Sequence, residues 1–166
     1  FCGMMGSGKT TIGKILSKKL QMNFIDTDDK IEKIISMKIV NFFDEFGEER
    51  FRKMESSYFL EKSKEKGIIF STGGGIVLNR ENRNILLNDG ITILLDTSIS
   101  NLAKRIQNSS RRPLLINLEN KENKLKIIWE RRKKLYYNSA QYIINTDKYQ
   151  PKMISENIIS IINEKN

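Results

Sequence analysis

The chain has 166 residues, enough for one domain with one filled core, and its 39% hydrophobic and 30% charged residues are those of a folded globular protein. One cysteine and no histidine exclude an internal disulfide and a metal centre built from Cys and His, so any general base has to be a carboxylate or something less usual. The formal net charge of +9 admits nucleic acid, an anionic membrane or small anionic substrates as partners. Many lysines, such as Lys62, Lys64 and Lys66 or Lys121, Lys124 and Lys126, fall in helical stretches and read as solvated faces. Neither a nucleic-acid nor a membrane partner is therefore expected. The absence of a bilayer-spanning apolar run or a leader pattern, together with the lone Cys2, points to the cytoplasm.

Taken in order, the chain opens on Gly3-Met4-Met5-Gly6-Ser7-Gly8-Lys9-Thr10, which fits the phosphate-loop pattern G-x-x-x-x-G-K-[ST] at every fixed position. Glycines at these places allow left-handed turns and close approach of phosphate oxygens to backbone N–H groups. Lys9 is suited to the β- and γ-phosphates and the Thr10 hydroxyl to Mg²⁺. Such a loop leaves the end of a buried strand, and only Phe1 and Cys2 precede it, so the first strand is expected to be largely missing. Ile12, Ile15, Leu16 and Leu20 recur at helical spacing and predict a helix from Lys9 to Leu20.

A strand is predicted at Met22 to Ile25, ending in Asp26-Thr27-Asp28, with Asp28 or Asp29 capping the next helix. Helical stretches follow over Val40 to Phe46, closed by Gly47, and over Glu48 to Lys66. Ile68 to Phe70 reads as a strand that runs into Ser71-Thr72-Gly73-Gly74-Gly75. Then come a helix at Arg80 to Leu87, a strand at Ile91 to Leu95 and a helix at Leu102 to Ile106. Residues 107–121, polar and holding Arg111-Arg112-Pro113, read as a mobile lid. A helix at Asn123 to Asn138, a strand at Tyr142 to Asn145 and a helix at Met153 to Ile162 close the chain. Alternating strands and helices make an α/β fold with a parallel sheet, in which ligands bind at the carboxyl ends of the strands.

Several side chains have two readings. Asp26 and Asp28, two apart after a strand, can point to one side and serve a metal and a substrate hydroxyl, or simply enrich a helix start with acid. Arg52 and Glu55 make either a surface ion pair or an oriented carboxylate clamp. Gly73 to Gly75 offer bare backbone N–H groups to an anion, or a tight turn. Arg111 and Arg112 can supply charge to a transferring phosphoryl group. Arg131 and Arg132 fit a solvated helix face.

In this order along one chain, the loop, Asp26-Thr27-Asp28, Phe51-Arg52-Lys53-Met54-Glu55, the glycine triplet, Arg112-Pro113-Leu114-Leu115 and Arg132-x-x-Leu135-Tyr136 resemble shikimate kinases. The resemblance runs from Gly3 to the final helix. It implies a phosphate-loop NTPase fold of the nucleoside-monophosphate-kinase type, one domain over residues 1–166. Such a fold is a three-layer α/β/α sandwich with a five-stranded parallel sheet and a mobile lid at about 107–121. The implied reaction is ATP-dependent phosphorylation of the shikimate 3-hydroxyl, on the path to chorismate and aromatic amino acids, by a monomer.

By motif, Gly3, Met4, Met5, Gly6, Ser7, Gly8, Lys9, Thr10 and Thr11 match the ATP-binding stretch. Arg105 matches the adenine-stacking arginine, Pro151 borders the adenine, and Arg112 is the lid arginine over the phosphates. Thr10 and, through water, Asp26 match the Mg²⁺ ligands. Asp28 matches the contact to the shikimate hydroxyls and the candidate base. Lys9, Asp28 and Arg112 form the implied catalytic set. Arg52 and Arg132 match the carboxylate-holding arginines, Glu55 orients Arg52, Phe43 and Phe51 wall the ring, and Gly73, Gly74 and Gly75 border the substrate. Lys134 stands where the family often has proline before Leu135. Alternatives are a kinase for gluconate or a nucleoside monophosphate and a non-catalytic ATP- or nucleic-acid-binding module.

Overall fold

The computed structural model describes residues 1–106 and 120–164. The predicted first helix is α1 (Lys9–Leu20), with Ile12, Gly13 and Leu16 buried as its periodicity requires. Strand β1 (Asn23–Asp26) starts and ends one residue later than predicted. Asp26 ends the strand and caps α2 (Thr27–Ile35), its carboxylate accepting from the Asp29 N–H at 3.4 Å. The cap is thus Asp26 rather than Asp28 or Asp29. Asp28 lies in the first helical turn, so the period-two argument that paired it with Asp26 does not hold.

Helix α3 (Ile39–Lys62) is broken where Gly47 takes φ 81° and ψ 158°, a conformation that a residue with a Cβ resists. The two helical stretches predicted on either side of Gly47 are the two halves of this broken helix. Next come β2 (Ile68–Ser71), one 3₁₀ turn (Ile76–Leu78) and α4 (Arg80–Asn88), capped by Asn79. Strand β3 (Ile93–Asp96) and α5 (Ile99–Arg105) precede α6 (Lys121–Tyr137), and β4 (Tyr142–Asn145) and α7 (Pro151–Asn163) end the fold. Helix α6 begins at Lys121 under an Asn120 cap, so the last residue assigned to the lid is helical. Residues 107–119 of the lid, including Arg111 and Arg112, lie outside the described residues.

The expectation of a single five-stranded sheet is corrected in detail. The described strands form two parallel pairs, β1 with β2 (Asp26 opposite Ser71) and β3 with β4 (Asp96 opposite Asn145). Phe1 and Cys2 lie between the pairs. Thr72 N donates to Phe1 O at 3.2 Å, Cys2 N to Ile93 O at 3.1 Å and Leu95 N to Cys2 O at 3.0 Å. Two residues make only an isolated bridge to Leu94, too little for a strand.

Helices cover both faces of this arrangement. Leu94 joins Met4, Leu102, Leu125, Ile128 and Tyr136 on one side, while Ile93 and Leu95 join Ile12, Leu16, Ile154 and Ile158 on the other. That alternation is the two-residue period of a strand buried on both faces. A third cluster, Ile31, Ile39, Phe42 and Phe51, ties α2 to α3. Each such fully buried side chain contributes roughly 1.5–3 kcal/mol, which fixes α3 as a platform for the polar groups it carries. Among the described residues, no helix is long and apolar enough to cross a membrane.

Candidate active site

The carboxyl ends of β1 and β2, the first loop and the start of α7 enclose a cavity of about 750 Å³. Its lining includes Gly6 to Thr11, Asp26, Asp28, Gly74, Arg105 and Pro151. Gly3, Met4 and Met5 do not line it. They are buried beneath the loop, with Met4 and Met5 in the core. Gly6 (φ 80°) and Gly8 (φ 99°) supply the left-handed turns that the motif predicts. No side chain caps α1 and no acid lies in its first turn, so the positive end of the helix dipole faces the cavity uncompensated. Lys9 is buried, and its Nζ donates to Gly3 O at 2.9 Å and Met4 O at 2.8 Å. The loop's own carbonyls thereby hold the ammonium in place.

Three hard oxygen donors meet beside Lys9. Thr10 Oγ1 donates to Asp26 Oδ2 at 2.6 Å and lies 3.3 Å from Ser71 Oγ. Oxygen donors of this kind suit Mg²⁺ better than any softer metal. Arg105 does not project freely. Its Nη2 donates to Thr146 O at 2.9 Å and its Nη1 to Thr146 Oγ1 at 3.2 Å, which pins it across the loop after β4. Asp147, in the same loop, accepts from Ser98 N at 3.1 Å and Asn101 Nδ2 at 2.8 Å. Burial works against its charge, but these bonds prevail and hold its pKa below the usual carboxylate value.

A second cluster adjoins the cavity through the glycine triplet. Arg52 Nη1 meets Glu55 Oε2 at 2.7 Å, and its Nη2 meets Glu48 Oε1 at 2.8 Å. The guanidinium carbon stands 5.7 Å from the Phe43 ring centre and 5.2 Å from that of Phe51, within cation–π range. Burial opposes the charge on Arg52, yet Glu55 and Glu48 outweigh it and raise its pKa. Burial dominates at Glu55, pushing its carboxyl above the usual glutamate value despite Arg52. Glu55 Oε1 is buried without a hydrogen-bond partner among the described residues. Phe51 is 1% exposed. It therefore backs the cluster from within the core, whereas half-buried Phe43 remains at its edge.

The triplet is bare because charged groups lie flat on it. A Cβ on Gly75 would overlap the Arg52 guanidinium, and one on Gly73 would run into Glu55 Oε1 and stand 2.6 Å from Asp28 Oδ1. The reading of these residues as N–H donors to an anion fails at Gly73, whose N–H is taken by Thr27 Oγ1 at 2.9 Å. Gly74 O accepts from Arg132 Nη1 at 3.1 Å and from the Tyr136 hydroxyl. Burial raises the Tyr136 pKa to about 12, so the phenol keeps the proton it donates.

Arg132 is 8% exposed. Its neighbour Arg131 is exposed, so the solvated-face reading holds for Arg131 and fails for Arg132. Inspection of the sequence missed Glu48, Thr27 and Tyr136. Only Tyr136 left a signal, in the helical spacing Leu125, Ile128, Arg132, Tyr136.

A shikimate kinase family model matches residues 5–163. A shikimate kinase of Caldicellulosiruptor bescii is 38% identical over 96% of this chain and 91% of its own length. One from Haemophilus influenzae strain Rd is 40% identical over 99% of this chain and 91% of its own length. Among solved structures, the shikimate kinase of Acinetobacter baumannii in complex with shikimate superposes with a TM-score of 0.95 at 33% identity, covering 99% of this chain and 92% of that one. The chain belongs to the shikimate kinase family.

Proposed function

We propose that this chain transfers the γ-phosphoryl group of ATP to the 3-hydroxyl of shikimate, giving shikimate 3-phosphate and ADP. The observation that carries the reading is the pair of arginines, half-buried Arg52 and buried Arg132, converging on the glycine triplet beside a phosphate loop. Paired guanidiniums suit an acceptor that bears a carboxylate. Gluconate also carries one. Its open chain has less use for an apolar wall such as Phe43, which favours a carbocycle.

ATP takes the main cavity, with its phosphates in the loop from Gly6 to Thr11, its base between Arg105 and Pro151, and Lys9 against the β- and γ-phosphates. Thr10 directly, and Asp26 through water, are the residues that would hold Mg²⁺, which neutralises charge on the phosphates when bound. Asp28 contacts the acceptor hydroxyls beside Gly73. The 3-hydroxyl oxygen forms a bond to the γ-phosphorus as the bond to the β–γ bridging oxygen breaks, and the hydroxyl proton passes to Asp28. A loose transition state makes positioning and charge the larger contributions. Glu55 holds Arg52, Arg132 braces Gly74, Gly75 seats the guanidinium, and Phe43, backed by Phe51, flanks the ring. Arg112 and the segment 107–121 complete the reading as a lid arginine and lid.

The same reading takes residues 1–166 as one domain in which Phe1 and Cys2 link the two strand pairs, Phe1 bonding toward β2 and Cys2 toward β3. It further takes the protein as a cytoplasmic monomer acting on small molecules, since every group it uses comes from one chain.

An ADP-release assay over shikimate, gluconate and nucleoside monophosphates tests it. Release that depends on shikimate, with one shikimate 3-phosphate formed per ADP, is expected. Preference for another acceptor overturns the proposal.

A further inference from the structure

Arg52 carries two acids of different character. Glu55 is 1% exposed and locked on Nη1. Glu48, one helical turn before Arg52, has a side chain 38% exposed. Its Oε1 accepts from both Nε at 3.1 Å and Nη2 at 2.8 Å, and the same oxygen lies 4.0 Å from Arg132 Nη2. The Nε/Nη2 edge is one of the faces with which a guanidinium grips a carboxylate by parallel bonds. Glu48 therefore fills the edge of Arg52 that faces Arg132, between the two cations assigned to the acceptor carboxylate.

We infer that Glu48 is a built-in stand-in for the acceptor carboxylate, displaced when the acceptor binds. The inference rests on the acceptor reading above. Glu48 follows directly on the break at Gly47, at the start of the second half of α3, with a side chain that reaches water. Rotation about its own side-chain bonds frees the arginine edge without unfolding the helix.

Charge accounts for such an arrangement. Two arginines, Glu55 and Glu48 sum to zero, and so do two arginines, Glu55 and an acceptor carboxylate. Exchanging one carboxylate for the other keeps both guanidiniums neutralised in either state, where a vacancy would leave two like charges facing each other. A molecule without a carboxylate has nothing to offer the arginines in place of Glu48, so it leaves Glu48 seated and gains nothing from its removal.

The test compares the wild type with Glu48→Gln and Glu48→Ala at saturating Mg·ATP. Shikimate is the substrate, and the analogue with a primary alcohol in place of the carboxylate is used as a competitive inhibitor. Removing the internal competitor lowers the Michaelis constant for shikimate by about threefold or more, with kcat held within about twofold. The inhibition constant of the alcohol stays where it was. A brace that merely orients Arg52 predicts the opposite, a raised constant for shikimate in both variants. That result, an unchanged constant, or equal shifts for shikimate and the alcohol overturns the inference. Absence of any shikimate phosphorylation by the wild type is a different failure, that of the acceptor reading.

Discussion

On the proposed reading, the phosphate loop and the arginine cluster solve one problem, holding an anion, by opposite means. The loop is contiguous, residues 3–10, and works through backbone turned by Gly6 and Gly8 and the uncapped start of α1. The cluster takes single side chains from the second half of α3 and from α6, with a backbone carbonyl from the triplet, and neutralises its two cations with two glutamates. Backbone dipoles suit a phosphate chain that is the same for any ATP-dependent enzyme. Side-chain guanidiniums at fixed separation suit one particular acceptor. The comparison teaches where specificity resides: in the part of the site that depends on tertiary structure.

Predictions follow from pulling the two regions apart. Lys9→Ala carries the largest effect, a fall in kcat of about 10³-fold measured by steady-state ADP release, because the ammonium lost is the one at the transferring group. Asp28→Asn lowers kcat by about 10²-fold or more while ATP binding, followed by calorimetry, stays near that of the wild type. Near-normal turnover would remove Asp28 from the mechanism.

Acid should strike the acceptor side first. Burial raises the Glu55 pKa, so this carboxyl takes up its proton at a pH above the ordinary glutamate value of 4.5. Arg52 then loses its innermost partner, and the Michaelis constant for shikimate climbs as pH falls, before that for ATP does. A parallel rise in both constants would contradict this. The smallest effect belongs to Tyr136→Phe, which removes one hydrogen bond to Gly74 and raises the shikimate constant by about two- to tenfold.

The same contrast explains what the sequence made legible. The loop, the helices and the break at Gly47 follow from local rules of glycine geometry and hydrophobic period, so they appear in a one-dimensional pattern. Thr27 bonding Gly73 and Tyr136 bonding Gly74 join residues 46 and 62 apart, and no local rule reports such partners. Arg132 is an intermediate case. Its choice over Arg131 depends on helix phase, which Leu125, Ile128 and Tyr136 encode. The acidic pair was misread in its geometry because Asp26 ends a strand while Asp28 starts a helix, so the alternation rule stops between them. The sheet was read as continuous, but Cys2 contributes one bridge and not a strand.

Substrate-specific Michaelis constants of Arg52→Ala test the central claim most directly, that α3 and α6 hold the acceptor while the loop holds the donor. The constant for shikimate should rise by about 10- to 100-fold, with that for ATP within about twofold of wild type. A rise confined to ATP, or equal rises in both, would contradict the division of the site.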